Sequence, residues 1–136
     1  MTNASFALQS AVFTALSADE TMQSLLGVPP RLYDAVPPNA AFPYAVLGDG
    51  RETNAGTATE EGSEHVFAVT AWSQRGGHAT SKSIADAIRF RLNNTTLSLD
   101  GHALVDLRFM DCEYARDSDG ETYSATLRFR AVTEPN

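Results

Sequence analysis

Residues 103–132, ALVDLRFMDCEYARDSDGETYSATLRFRAV, read as two strands joined by a short turn. Within 122–132, apolar residues alternate with polar ones, which is the period of a half-buried strand. The side chains predicted to face inward there are Tyr123, Ala125, Leu127, Phe129 and Ala131. In 103–115 the same pattern sets Val105, Leu107 and Phe109 against Asp106, Arg108 and Met110. Because DSDG consists of turn-favouring residues, we predict that the two strands pair as an antiparallel hairpin.

Two segments upstream have the period of an α-helix. Residues 3–17 carry apolar side chains at helical spacing, and either Asn3 or Ser5 can cap their start. Residues 79–93 follow the same period and end at an Asn-Asn pair. The stripe of this helix that we predict to be buried is Ile84, Ala85, Ile88 and Leu92. The order of helices and strands favours an α+β fold, with a mostly antiparallel β-sheet and two main helices packed on one face.

A short additional helix is predicted through Met22 and is stopped by Gly27. Its start matches a capping box, in which the Ser17 hydroxyl would accept a bond from the backbone N–H of Glu20. Residues 31–48 are expected to be mostly extended, because three prolines in them bar a helix.

The middle of the chain supplies further strands. We predict strands at 44–48 and 64–73, and both faces of the second are apolar, as expected for a central strand covered on both sides. The polar, aperiodic segment 49–63 is either a long mobile loop or the tip of a long hairpin. A short strand is expected at 97–99. The length suits one domain, which we place at 1–136.

The overall charge narrows the classes of function. The chain has 10 basic and 17 acidic residues, a formal net charge of −7. A protein that binds nucleic acid by neutralising phosphates needs a basic face, so this charge argues against that class. Cys112 is the only cysteine, so an intrachain disulfide or a zinc site of several thiolates is excluded. The first residues do not resemble a signal peptide and no apolar run suits a membrane span, so we expect a protein made in the cytosol with no membrane partner.

Residues 72–88, WSQRGGHATSKSIADAI, have the strand, glycine turn and helix order of a phosphate-binding loop. The spacing fits neither GxxxxGK[ST] nor GxGxxG, because Lys82 falls a full turn into the helix. The simpler interpretation is that Gly76 and Gly77 let the chain turn sharply from strand to helix. A small nucleotide-binding module that uses this turn stays as an alternative from another class.

Other candidate chemistry is weaker. The segment DSDGE at 117–121 resembles the start of a calcium loop, but its twelfth position is Arg128, which cannot bind a cation. The three histidines stand far apart without a second ligand at metal-binding spacing. The acidic neighbours of Cys112 should raise its pKa rather than activate the thiol. We therefore predict no catalytic, cofactor-binding or metal-binding residues, and a protein that is not an enzyme.

Four stretches together carry a family resemblance. They are RLYDAVPPNAAFPYAVLG (31–48), WSQRGGHATSKSIADAI (72–88), LDGHALVDLRF (99–109) and RDSDGETYSATLRFRAVTEP (116–135). With the helical opening LQ.AV...L..D..M..LLG before them, they resemble the tail-completion, or tail terminator, proteins of long-tailed bacteriophages and of the gene transfer agents of alphaproteobacteria. The pattern covers nearly the whole chain.

The resemblance implies a structural subunit with a small α+β fold. Such proteins form a homohexameric ring on the last ring of the major tail-tube protein, stop tube growth and present the surface that docks the head through its neck connector protein. DNA passes through the lumen without specific binding. The implied location is the head-proximal end of the tail of a virion or particle, assembled in the bacterial host cytoplasm. A head–tail connector or neck ring subunit is the alternative within the same biology.

A ring brings two different patches of each subunit together. We expect the polar 49–63 segment to order on assembly against a neighbouring subunit or the tube, and the glycine corner to lie at a subunit boundary. A sheet edge is a further candidate, through strand pairing across the interface. The interface residues predicted from these segments are Arg51, Glu52, Thr53, Asn54, Thr57, Glu60, Glu61, Gln74, Arg75 and His78.

Overall fold

The computed structural model describes residues 3–136, so Met1 and Thr2 of the predicted domain lie outside the described residues. One six-stranded sheet carries three helices, which confirms the α+β prediction. The helices are α1 (Ala4–Ala18), α2 (Glu20–Leu26) and α3 (Ala79–Leu92). The strands are β1 (Leu32–Tyr33), β2 (Tyr44–Asn54), β3 (Ser63–Gln74), β4 (Ser98–Leu99), β5 (His102–Arg116) and β6 (Thr122–Pro135).

The starts of α1 and α2 follow capping chemistry, with one correction. Of the two predicted caps of α1, Asn3 is the one observed: its side-chain oxygen accepts a bond from the backbone N–H of Phe6 at 3.0 Å, whereas Ser5 lies inside the helix. The predicted capping box is wrong: Asp19, not Ser17, caps α2 and accepts from the N–H of Met22 at 3.0 Å. Ser17 still lies inside α1, whereas Asp19 is the residue with an extended backbone, as an N-cap requires.

The sheet has the strand order β1-β2-β3-β6-β5-β4. All its pairs are antiparallel except β1 with β2. The predicted hairpin of the last two strands is confirmed, since β5 pairs with β6 from His102 to Arg116. Of the two alternatives for 49–63, the structure has the hairpin, because β2 continues to Asn54 and pairs there with Ser63 of β3.

The core lies between one face of the sheet and the helices. The predicted stripe of α3 is buried, and so are the inward-facing residues of β6 from Tyr123 to Ala131. Leu8, Val12 and Leu16 of α1 join them with exposures of 3% or less, so α1 and α3 cover the same face. At roughly 25 cal/mol for each Å² of apolar surface, this burial is the main source of stability.

The prediction that both faces of β3 are covered is wrong. Residues of β3 on that face, such as Val66 and Trp72, are only half-buried, because the helices lie on the other side. Ion pairs on neighbouring strands occupy this uncovered face. Arg130 is 2.6 Å from Glu64 and 3.8 Å from Asp106, while Asp106 also pairs with Arg108 at 3.0 Å.

Strand β5 departs from simple alternation at two β-bulges, one between Leu104 and Asp106 and one between Phe109 and Asp111. The bulged residues are Val105 and Met110, whose exposures are 56% and 45%. The predicted alternation, which groups Val105 with Leu107 and Phe109, is therefore wrong at Val105. An extra residue in one strand shifts the period of its side chains, which alternation alone cannot detect.

Candidate subunit and partner interfaces

The ten predicted interface residues form two groups at opposite ends of β3. One group lies at the Ser63 end, on β2 and the loop that joins it to β3, and the other lies at the Gln74 end. Eleven residue steps of extended strand separate these ends by about 36 Å. They are consequently two separate surfaces rather than one site.

The first surface is the arm, which we define as the hairpin formed by residues 50–63. From Gly48 through Ala55 every residue is exposed, whereas Ala45 and Leu47, nearer the helices, are buried. The predicted residues Arg51, Glu52, Thr53 and Asn54 lie on the strand of the arm. The remaining three of this group, Thr57, Glu60 and Glu61, lie in the connecting loop and are also exposed.

The loop of the arm is held by its own hydrogen bonds. The N–H of Ala55 donates to the carbonyl of Gly62 at 3.0 Å, and that of Thr57 donates to Glu60 at 2.7 Å. The Thr57 hydroxyl accepts from the N–H of Glu60 at 3.1 Å, and the Asn54 side chain accepts from Gly56. Two of the predicted contact residues thus shape the turn, while the carboxylates of Glu60 and Glu61 point their charge to solvent beside Glu134.

The second surface is the corner, which we define as residues 74–78. Arg75, Gly76 and Gly77 all have positive φ, at 63°, 78° and 78°. A Cβ added at either glycine would meet no atom within 4 Å, so these glycines supply backbone conformation rather than room for a close neighbour. This geometry agrees with the interpretation of the segment as a sharp turn from strand to helix.

The corner is tied to the hairpin of β5 and β6. The N–H of Arg75 donates to the carbonyl of Glu121 at 2.7 Å, and an exposed ion pair joins the two side chains at 3.7 Å. The His78 ring meets the Tyr123 ring edge-on, with centroids 4.8 Å apart. His78 is therefore half-buried against its own chain, and Arg75 is the more available of the two for a partner.

A buried histidine lies where the arm meets the body of the molecule. His65 is 3% exposed, and its Nε2 is 2.9 Å from the hydroxyl of Thr133. Burial is the main reason that the pKa of His65 lies below its ordinary 6.5; Glu52 acts in the opposite direction and His102 in the same one. A hydrogen-bonded imidazole thus lies at the junction of the arm and the body, and its lowered pKa favours the neutral ring.

The segment that resembles a calcium loop is a turn. The Asp119 carboxylate accepts from the hydroxyl of Thr122 at 2.6 Å and from the backbone N–H groups of Glu121 and Thr122. These bonds, led by that from the Thr122 hydroxyl, lower the pKa of Asp119.

Burial, aided by Asp111, raises the pKa of Cys112, although a hydrogen bond with Tyr114 opposes it. Within residues 3–136, no group of three or more His, Cys, Asp or Glu could hold a metal ion.

None of the helices in this part of the chain is long and apolar enough to cross a membrane.

Sequence reasoning missed one prominent surface residue, Phe90 of α3, which is 90% exposed. It lies on the side of the helix opposite Ile88, outside the buried stripe. The available signal was an aromatic residue between Arg89 and Arg91, off the apolar period. Arg89 itself covers the Phe109 ring, with its guanidinium 4.2 Å from the ring centroid.

Comparison with known proteins identifies relatives over almost the full length. A family model described as Tail completion protein gp17 matches residues 10–134. A chain from the virion of a native gene transfer agent particle is 32% identical, with a TM-score of 0.89 over 98% of this chain and 99% of that one. The gp17 protein of bacteriophage SPP1 has the same fold, at 20% identity and a TM-score of 0.62, over 98% and 91% of the two chains. No curated protein matches the sequence.

Proposed function

Because this chain belongs to the family of tail completion protein gp17, we propose that it is a structural subunit of the tail terminator. In this role six copies form a ring on the last ring of the major tail-tube protein and stop growth of the tube. The opposite side of the ring docks the neck connector protein of the head, and DNA passes through the lumen without specific binding. The protein would work at the head-proximal end of a virion or particle tail after assembly in the host cytoplasm, without catalysis.

The observation that carries this proposal is the family match over residues 10–134, together with 32% identity to a chain of a gene transfer agent particle. The charge supports it as well. A net charge of −7 repels the phosphates of passing DNA, so a lumen built from this chain would not grip its cargo.

The two exposed surfaces suit an assembly in which each subunit has several neighbours. The arm leaves the body by a strand of exposed polar residues and ends in a loop that exposes Glu60 and Glu61. We propose that the arm contacts a neighbouring subunit or the tube, and that the corner, through Gln74, Arg75 and His78, lies at a subunit boundary. Because both surfaces are polar, they can face water in the free subunit before assembly.

Deleting the gene in a particle-producing strain tests the function. We expect tails of uncontrolled length that carry no heads, because tube growth would continue without a terminator. Tails of normal length without heads would favour the alternative of a connector or neck ring subunit. Normal tails joined to heads would contradict both.

Shortening the loop of the arm tests the proposed contact. Residues 56–61 can be replaced by an Asn-Gly turn that closes on the Ala55–Gly62 hydrogen bond, which leaves the strands intact. We expect this variant to fold and to fail in ring formation or in tail-length control. The matched control is Glu60→Gln with Glu61→Gln, which keeps the loop and removes only its charge. An assembled particle with normal tails from the shortened variant would contradict the contact.

A further inference from the structure

Near each edge of the sheet, a stretch of strand has outward-pointing backbone groups without a hydrogen-bond partner among residues 3–136. At the first edge, β1 pairs only with Ala45 and Val46 of β2. Further along β2, the N–H of Ala55 donates to the carbonyl of Gly62, so these two residues form a hydrogen-bonded pair. In the next pair, Asn54 with Ser63, the backbone groups of Asn54 therefore point away from β3. By the same alternation, the outward-pointing residues are Gly50, Glu52 and Asn54.

At the opposite edge, most of β5 is already covered. β4 pairs with His102 and Ala103. Next, the carbonyl of Leu107 accepts from the N–H of Asn94 at 2.8 Å, and the N–H of Phe109 donates to the Asn93 side chain at 2.9 Å. Past the Met110 bulge this cover ends. The residues there whose backbone groups point outward, with no partner on that side among residues 3–136, are Cys112, Tyr114 and Arg116.

From these two edges we propose that the open stretch of β2, residues 50–54, pairs antiparallel with the open stretch of β5, residues 112–116, of a second copy of this chain. β2, β3, β6 and β5 alternate in direction, so a β5 strand placed beside β2 continues the alternation. Each stretch offers three outward-pointing residues, so the two match in length. The pairing joins different patches of each copy, and repetition can therefore close a ring. The inference rests on the proposed function for its biological setting.

The register that uses both open stretches fully sets Glu52 opposite Tyr114. Arg51 then lies diagonal to Glu113 on the uncovered face of the sheet. On the other face Glu52 lies diagonal to Arg116. Diagonal neighbours about 7–8 Å apart are within reach of long side chains, so both pairs of opposite charge can form. Among residues 3–136 of a single chain, neither Arg51 nor Glu113 has an ion-pair partner within 4.0 Å.

The stagger of this register is consistent with closure. Within one chain Glu52 is level with Ala131 of β6, whereas Tyr114 is level with Ala125, six residues away. Pairing therefore shifts successive copies by about 20 Å along the strands, while the four strands are about 19 Å wide. The strands would incline by about 45° to the axis of the assembly, close to the roughly 35–45° of closed sheets.

The chain's own Cys112 provides the test, because the register sets it directly opposite Asn54. Hydrogen-bonded pairs have Cα atoms about 5.5 Å apart, within the range of a disulfide. We expect Asn54→Cys to form covalent dimers and larger ladders on mild oxidation of assembled particles or of the full chain at millimolar concentration. The matched controls are Thr53→Cys, which projects from the opposite face, and Asn54→Cys with Cys112→Ser. Neither control should form the ladder.

Charge reversal gives a second test that needs no new cysteine. Arg51→Glu should weaken self-association by about fivefold, and adding Glu113→Arg to the same chain should restore it. The edge pairing would be overturned if rings or particles assemble normally but the Asn54→Cys chain gives no crosslink to Cys112, and if Glu113→Arg does not restore the self-association of Arg51→Glu. These results would leave the proposed function intact. Failure of the gene deletion to alter tails would instead overturn the function, whatever the crosslinks show.

Discussion

The side-chain oxygen of Asn93 accepts a hydrogen bond from the backbone N–H of Phe109 at 2.9 Å, and by this bond the end of α3 closes part of an edge of the sheet. The next residue continues the cover, since the N–H of Asn94 donates to the carbonyl of Leu107 at 2.8 Å. The segment that ends the helix therefore also pairs with the edge strand.

Replacing Asn93 by Ala should lower the free energy of unfolding by about 1 kcal/mol, because it leaves the half-buried N–H of Phe109 without its partner. Urea unfolding measures the change. Asn94→Gly is the control: Asn94 has a φ of 59° and bonds through its backbone, so glycine keeps the bond and the conformation. Equal losses in the two variants would contradict the role of the Asn93 side chain.

Two positions on α3 should respond very differently to alanine. Ile88 is fully buried, so Ile88→Ala should cost about 2–5 kcal/mol through lost burial and a cavity. Phe90 is 90% exposed, and Phe90→Ala should change stability by no more than about 0.5 kcal/mol. Thermal and urea unfolding of both variants checks the contrast. A large loss from Phe90→Ala would mean that this ring packs within the single chain.

Acidification should destabilise the fold through His65. Its pKa is lowered by burial, so below pH 6.5 the unfolded chain takes up a proton that the folded chain does not. The stability contribution of the neutral ring is complete above pH 6.5 and decreases as the pH falls towards the lowered pKa. Urea unfolding at pH 7.5 and 5.5 should show a smaller decrease in His65→Gln than in the parent chain. Equal decreases would contradict the assignment to His65.

The corner should depend on glycine for backbone reasons alone. Gly76 has a φ of +78° and open space around the position of a Cβ, so Gly76→Ala should cost about 1–2 kcal/mol. Arg75→Gly, at a neighbouring positive φ, should cost less, because glycine relieves strain there and the ion pair lost is exposed. The melting temperature of Gly76→Ala should therefore be lower than that of Arg75→Gly. The reverse order would contradict the backbone role of Gly76.

ATP and inorganic phosphate should leave the melting temperature unchanged at millimolar concentration. The glycine corner lacks the spacing of a phosphate loop, and Lys82 contacts Tyr114 instead, with its Nζ 4.7 Å from the ring centroid. A ligand that binds only the folded state raises the melting temperature. A rise with ATP that Gly76→Ala abolishes would revive the nucleotide-binding alternative.

Periodicity predicted the elements that bury one clear face. The stripe of α3 and the inward residues of β6 follow directly from spacing, because burial selects those side chains over an unbroken element. The predictions were wrong where a local feature shifts the spacing of the side chains or the end of an element. The bulges at Val105 and Met110 shift the alternation of β5, and the cap of α2 moved by two residues because Ser17 stays in α1.

The sequence indicated which segments form the candidate surfaces, but it did not predict their three-dimensional structure. Composition marked 49–63 as unusual, but only the pairing of Asn54 with Ser63 makes it an arm. The open stretches of the sheet edges could not be predicted, because they depend on which backbone groups the short strands and Asn93 already occupy. The proposed biological role came from the family resemblance, because no local pattern in the residues specifies it.

The two bulges of β5 also indicate where this sequence can change length over evolution. Deleting Val105 or Met110 would convert each bulge to a regular ladder and leave every other residue beside its present partner. A deletion elsewhere in β5 would turn the following residues to the wrong face. Insertions and deletions that separate related lineages should therefore collect at these two positions and at 56–61, and alignments that place gaps elsewhere in the strand would misassign its faces.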